Sequence, residues 1–280
     1  LVNSPVRLDH LRDTAVQARR VGAAWHICTR AGRTVEADIL VLATSHPPPD
    51  APRAFAALLP HARITADPWA PGVLQGIGTH DAVLIVGTAL SMADTVASLE
   101  RQGHRGHITA VSRRGLVSRG HAAGTTTEFG EFAASPPPTA RSLVRAVRQT
   151  IATAHAQDVP WQSVIDAVRR DAPAIWSALS TMERRRLVRH ARPFWDVHRY
   201  RVAPQVDAVL ARRRAAGTLD VLAASVLAAR ERSGRLAIEL AARQGGRRRE
   251  VLVDHVVLST GPAHGALFRT DPLVSSLATS

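Results

Sequence analysis

Lysine is missing from this chain: all 36 of its basic residues are arginine. Cysteine and tyrosine occur once each, and aromatic residues make up only 4% of the sequence. With Cys28 alone, the chain forms no internal disulfide and no zinc site built on several cysteines. Cys28 lies in Trp25-His26-Ile27-Cys28-Thr29 and reads as a small apolar filler rather than a nucleophile. The scarcity of aromatics leaves few platforms on which single-stranded bases could stack. Long hydrophobic runs are also lacking. The best candidate, Ala82 to Ala93, is bounded by Asp81 and Asp94 and interrupted by Gly87, Thr88 and Ser91, so it is too short to span a bilayer. No basic segment followed by an apolar stretch marks a secretory signal, and the expected compartment is a reducing cytoplasm.

Acidic residues number 23, which leaves a formal charge of +13. Such a balance raises nucleic acid as a partner. An arginine-only basic set beside abundant Ala, Pro and Gly fits the coding bias of a GC-rich genome better, so charge carries the weaker reading. Steep loss of binding with salt would distinguish a nucleic-acid binder. No G-x-S-x-G elbow, H-E-x-x-H pair or P-loop occurs. Asp196 and His198 stand two apart, on opposite faces of a strand or about 200° apart on a helix, which argues against a shared metal. No metal site is expected, and no catalytic acid or base can be named.

What is present is α/β patterning. A short helix is expected over Leu8 to Arg20. Trp25–Thr29 and Thr34–Ala43 read as strands joined by Arg30-Ala31-Gly32-Arg33, with Gly where a positive φ is needed. The run through Asp38-Ile39-Leu40-Val41-Leu42 reads as a strand buried on both faces, ended by Pro47 to Pro49. Residues 50–80, with Pro52, Pro60, Pro68 and Pro71, read as a linker. Val83–Val86 is then a buried strand, Gly87-Thr88-Ala89 a tight turn, Ser91–Gln102 a helix stopped by Gly103, and Ile108–Ser112 a second strand. This is a βαβ unit, whose strands should be parallel neighbours. Residues 121–135 read as a loop, and Ser142 to about Arg214 as several helices cut by prolines. Leu219–Val226 and Leu236–Leu240 follow as strands, with a turn at Gln244-Gly245-Gly246 and one long strand over Glu250–Ser259. The run Asp254 to Gly261 echoes Asp38 to Ser45 in layout.

The strand–Gly87-Thr88-Ala89-Leu90-Ser91-Met92–helix sequence has the form of a dinucleotide turn. Such a turn must be tight, let the backbone approach a pyrophosphate, and offer free N–H groups at the helix start. Ala89 and Met92 stand where the usual second and third glycines would be. Ser91 and Asp94 read as a capping box. Where an NAD site places an acid at the end of the second strand, this chain has Ser112-Arg113-Arg114, which suits the 2′-phosphate of NADP, NAD being the second choice.

Several segments resemble a known family. Leu42-Ala43-Thr44-Ser45 and Leu258-Ser259-Thr260-Gly261-Pro262 look like the strand-ending "ATG" motifs of flavin monooxygenases and disulfide-reductase-like flavoproteins. Val86 to Asp94, Ser112 to Leu116 and Trp195 to Pro204 resemble the bacterial FAD/NAD(P)-binding family that includes flavin-dependent urate hydroxylases. The resemblance covers nearly the whole chain. It implies a Rossmann-like fold with two dinucleotide-binding domains and a helical insertion, present here in part. Residues 1–50 would be the remainder of the FAD-binding domain and 51–80 a linker. Residues 81–135 would form the NAD(P)-binding unit, 136–215 the helical insertion, 216–262 the return strands and 263–280 a tail. The family's amino-terminal FAD glycines do not occur, so the chain is expected to be the middle of a longer protein. The implied activity is an FAD- and NADP-dependent monooxygenase acting on a small molecule. A non-catalytic nucleotide-binding piece is the alternative. The implied cofactor residues are Gly87, Thr88, Ala89, Leu90, Ser91, Arg113 and Arg114, with Thr44, Ser45, Thr260, Gly261 and Pro262. Substrate and oligomeric state stay open.

Overall fold

The computed structural model describes residues 7–44, 47, 49–261, 263 and 267–279. The chain divides into two compact units, one formed by residues up to Asp50 together with those from Gly261 onward, the other by Ala51–Thr260.

In the first unit β1 (Ala15–Val21), β2 (Ala24–Thr29) and β3 (Thr34–Ala37) form an antiparallel sheet in that order. The Arg30–Arg33 turn works as expected, with Gly32 at φ +81°. The helix expected over Leu8 to Arg20 is not formed. Leu8 and Leu11 are exposed, and Ala15–Val21 pairs with β2 and buries Ala18. A short helix, Pro272–Ala278, packs Leu273 beside Ala18 and Ile27. The Ser276 hydroxyl accepts the Ala18 N–H at 2.9 Å.

The strand expected through Asp38–Ala43 is also absent. Ladder pairing stops at Trp25 with Ala37, and beyond it Ile39 is 78% and Val41 76% exposed. A hydrophobic run becomes a strand only where a neighbouring strand takes up its backbone polar groups, and past Ala37 β2 offers none.

In the second unit a 3₁₀ turn (Arg53–Leu58) and β4 (Ile64–Thr65) precede β5 (Val83–Val86), α1 (Leu90–Arg101) and β6 (Ile108–Ser112). Six helices follow: α2 (Ala140–His155), α3 (Trp161–Arg170), α4 (Ala172–Ala178), α5 (Thr181–His190), α6 (Arg192–Arg199) and α7 (Pro204–Ala215). Then come β7 (Leu219–Arg232), β8 (Arg235–Ala242), β9 (Arg248–Val253) and β10 (His255–Leu258). One seven-stranded sheet runs in the order β4-β10-β5-β6-β7-β8-β9. It is parallel from β4 to β7 and antiparallel across β7, β8 and β9.

The four residues of β5 are all buried because both faces of the sheet are covered. Val83 and Ile85 join Met92, Val96 and Leu99 of α1 and Leu210 of α7. Leu84 and Val86 meet Leu236, Ile238 and Leu240 of β8 and Phe55 of the 3₁₀ turn. Residues 51–80, expected to be a linker, thus supply core side chains and the edge strand β4. The single strand expected over Glu250–Ser259 is broken at Asp254, whose carboxylate accepts the Ala82 N–H at 2.8 Å and Arg235 Nε at 2.9 Å. The bend lets the chain leave the antiparallel edge and enter the parallel part of the sheet between β4 and β5. The echo between Asp38–Ser45 and Asp254–Gly261 is therefore one of letters: β10 is a strand because β4 and β5 flank it.

The helical insertion has its own core of Leu143, Val164, Val168 and Ile175 around Phe132. Asp171 ties the preceding loop to it, accepting the Phe132 N–H at 2.8 Å and both Nε and Nη2 of Arg170 at 2.8 and 2.9 Å. Arg170 holds this carboxyl down at about 2.

At the opposite end of α1, His104 is 2% exposed. Its Nε2 faces the Asp81 carbonyl at 2.9 Å, and its Nδ1 faces Arg213 Nη2 at 3.3 Å. This arrangement requires the neutral ring with its proton on Nε2. Arg213 also donates to Glu100 at 2.6 Å, tying α7 to α1. Burial pushes the pKa of His104 down, and that of His255 likewise. Below about pH 6.5 the unfolded chain gains more protons at these positions than the folded chain does, so stability falls with falling pH. The denaturant midpoint is expected to drop between pH 7 and pH 5, with a limiting slope of about 1.4 kcal/mol per pH unit for each histidine. A flat or rising midpoint over that window contradicts this account.

Candidate functional site

The parallel strands β5, β6 and β10 end together, and the chain turns there at Gly87. Gly87 donates its N–H to the Val111 carbonyl at 2.8 Å, and Ser259 donates to Val86 at 2.8 Å. The Gly87 φ is +121°, and a Cβ built on it would lie 2.0 Å from the Ser259 carbonyl oxygen. The residue is glycine because β10 passes against its Cα.

Ala89, in place of the second glycine, is the N-cap of α1 and offers no side-chain cap. Its carbonyl accepts the N–H groups of Met92 and Ala93 at 3.1 and 3.2 Å. The N–H groups of Leu90 and Ser91 make no hydrogen bond among the described residues, so the positive end of a 12-residue helix is open. The capping box expected from Ser91 and Asp94 is not formed, because the helix begins two residues earlier than that pattern requires. Burial raises the Asp94 carboxyl above the usual carboxylate range. Met92, in place of the third glycine, is fully buried in the α1 core.

Thr88 is 4% exposed. Its hydroxyl donates to the Leu116 carbonyl at 2.5 Å and lies 2.7 Å from the Ser112 hydroxyl. The Ser112 hydroxyl in turn accepts the Gly115 N–H at 3.0 Å. Thr88 therefore clamps the turn to the segment that leaves β6, and its side chain is occupied within the protein.

That segment carries the two arginines. Arg113 is exposed. Arg114 is half-buried, and its Nη1 is buried without a hydrogen-bond partner among the described residues. An unsatisfied guanidinium nitrogen is costly, and the Arg114 side chain also lines a cavity of about 730 Å³. Arg114 and Leu116 form one wall, His190 and Phe194 another, and Ala242 and Arg243 a third. Among the described residues no carboxylate lines it. A neighbouring cavity of about 460 Å³ shares Ala223 and Ala242 with it and is bordered by Arg247, Arg248 and Arg249. Sequence spacing led to Arg114 but not to His190, Phe194 or Arg243. In a chain with so many arginines, the one signal for Arg243 was its place beside the Gln244-Gly245-Gly246 turn.

The other implied cofactor residues are placed as follows. Thr260 is the second residue past β10 and is exposed. Thr44 lies in an exposed irregular stretch of the first unit, and Gly261, at φ +79°, begins that unit's second segment. Ser45 and Pro262 lie outside the described residues. Trp195 to Pro204 forms the end of α6 and its link to α7. Arg201 there is nearly buried, grips Asp166 through two contacts at 2.9 and 3.0 Å, and lies over the Trp161 ring at 5.4 Å. Asp196 pairs with Arg192 at 3.5 Å, while His198 Nδ1 contacts the Phe194 carbonyl at 2.7 Å. They engage separate partners, and the segment holds the helices together. Among the described residues no helix is long and apolar enough to cross a membrane, and no group of three His, Cys, Asp or Glu is placed to hold a metal.

No family model and no curated protein matches the chain. Solved structures do. L-lysine 6-monooxygenase from Pseudomonas syringae superposes with a TM-score of 0.57 at 19% identity, over 95% of this chain and 56% of that one. Ornithine hydroxylase from Pseudomonas aeruginosa superposes at 0.51 and 14% identity, over 95% of this chain and 57% of its own. Its reduced form gives 0.51 at 15%. The chain thus spans a little over half the length of the structures it matches. At these identities the likeness is one of fold: an α/β, Rossmann-like architecture with a helical insertion, the class expected from the sequence.

Two substitutions test the construction of the turn. Gly87→Ala drives a Cβ into the Ser259 carbonyl and should cost about 3 kcal/mol or more, read as a large loss of soluble, cooperatively unfolding protein. Thr88→Val keeps the shape but strands the Leu116 carbonyl. It should lower denaturant stability by about 1–3 kcal/mol, and unchanged stability would refute the clamp.

Proposed function

We propose that this chain is the nicotinamide-nucleotide-binding part, with adjoining flavin-domain segments, of an FAD- and NADP-dependent monooxygenase that hydroxylates a small amine. The observation that carries the nucleotide assignment is Arg114: a guanidinium with a buried nitrogen that has no partner among the described residues, on a side chain that lines a cavity where none of the described residues is acidic, one clamp away from a glycine turn and an open helix start. Those features fit a dinucleotide. The N–H groups of Leu90 and Ser91 suit a pyrophosphate, and Arg114 suits the ribose 2′-phosphate of NADP through a charge-assisted contact. Thr88 takes no part in binding; it holds the turn and the arginine segment in register.

When bound, reduced NADP supplies hydride, the chemistry of the cofactor itself. The residues described here bind and orient it: the turn sets the pyrophosphate end, and Arg114 sets the adenosine end. FAD enters this reading through the fold alone. The amine substrate follows from the likeness to a lysine monooxygenase and an ornithine hydroxylase. The excess of arginine supports a nucleic-acid partner less well, since many of these side chains are already engaged. Arg230 and Arg232 pair with Glu250, Arg235 with Asp254, Arg248 with Glu239, Arg201 with Asp166 and Arg213 with Glu100.

Titration calorimetry with NADP⁺ and NAD⁺ tests the reading. The unmodified chain should prefer NADP⁺ by about tenfold or more, worth about 1.4 kcal/mol. Arg114→Gln should remove the preference, while Arg113→Gln, at a residue that does not line the cavity, should leave it nearly intact. Equal affinity for the two dinucleotides, or binding of neither, would overturn it.

A further inference from the structure

Arg114 accounts for one cation of the cavity, and Arg243 supplies a second that no sequence motif marks. Arg243 stands just past the end of β8. Its N–H donates to the Ala223 carbonyl at 2.9 Å, and the Ala242 N–H donates to the Arg247 carbonyl at 2.9 Å. The start of the hairpin turn is thereby tied to β7 and closed on itself, so the side chain departs from a fixed backbone. Its Nη1 reaches the Arg113 carbonyl at 3.5 Å, a long and weak contact.

Four arginines of β7, β8 and β9 behave differently. Arg230, Arg232, Arg235 and Arg248 each lie on a glutamate or aspartate. Among the described residues no carboxylate lies within ion-pair distance of Arg243. Two guanidinium groups with donors left over therefore line one cavity where none of the described residues is acidic, contributed by segments far apart in the chain. Like charges gathered in one cavity disfavour each other, and an anion between them reverses the sign. A planar guanidinium suits a phosphate in particular, because its paired N–H groups match two oxygens.

We infer that Arg243 is a specificity-determining residue of this cavity, gripping with Arg114 the phosphate monoester that distinguishes NADP from NAD. The inference rests on the nucleotide reading above. It adds that selectivity is shared between the exit of β6 and the β8–β9 hairpin.

The test is calorimetric titration of the full chain with two probes, adenosine 2′,5′-bisphosphate and adenosine 5′-monophosphate, which differ in that one phosphate. Arg243→Ala should weaken the bisphosphate by about tenfold or more and the monophosphate by less than twofold. Arg243→Lys should recover part of the loss by restoring charge without the fork. Circular dichroism checks that each variant is folded, and Arg243→Gln replaces Arg243→Ala if the latter is not. If Arg243→Ala leaves the preference intact while Arg114→Gln abolishes it, the cavity reading stands and the role of Arg243 is wrong. Equal weakening of both probes also overturns that role, since Arg243 would then support the cavity rather than the phosphate. If the unmodified chain binds neither probe, both readings fall together.

Discussion

The backbone of β10 lies so close to Gly87 that no side chain fits between them, and much of the parallel unit depends on that approach. β10 runs inside the sheet, between the edge strand β4 and β5, and Ser259, the residue after it, hydrogen-bonds to Val86. The Ser259 carbonyl then sits where a Cβ at position 87 would be. The chain leaving β5 must therefore turn through a left-handed φ before α1 begins. That turn decides where the helix starts and which N–H groups remain open. Through Thr88 it also sets the height at which the chain leaves β6. A side chain at 87 would push β5 and β10 apart, and α1, the exit of β6 and the cavity beside it would move with them.

Arginine does two separate jobs in this fold, and burial and pairing tell them apart. Arg201, Arg213 and Arg170 are clamps. Each is held by a carboxylate and at least one backbone carbonyl, and each ties elements distant in the chain. Such groups hold position because removing one partner leaves a desolvated charge behind, at a cost of about 3–5 kcal/mol for a fully buried pair. Arg114 and Arg243 break the pattern: their donors are left over on a surface without acids. Arg114 is half-buried and Arg243 exposed, and both keep donors for something the protein does not itself provide.

The α/β alternation, the βαβ unit over residues 83–112, the helical insertion and the glycine turn were legible because each is a local signal. Apolar period, helix stops and turn chemistry act within a dozen residues. The mistakes have one common cause. Ile39, Leu40, Val41 and Leu42 look as strand-like as Val256, Val257 and Leu258, yet only the second run has neighbours on both sides. Leu8 and Leu11 carry helical spacing with nothing to pack against, while Ala15–Val21 pairs with β2. Residues 51–80 looked like a linker because of their prolines, and Phe55 and Ile64 were drawn into the core by surfaces that form only on folding.

By itself, then, the sequence determined the fold class, the position of the turn and the presence of arginines at the end of β6, since these follow from short-range stereochemistry and hydrophobic period. Only the tertiary structure decided which of many arginines matters. It exposed Arg113, buried a nitrogen of Arg114 without a partner, and brought Arg243 to the same cavity. Pairing and burial are properties of neighbours in space, and in a chain of uniform arginines nothing along the sequence separates a clamp from a cation left open.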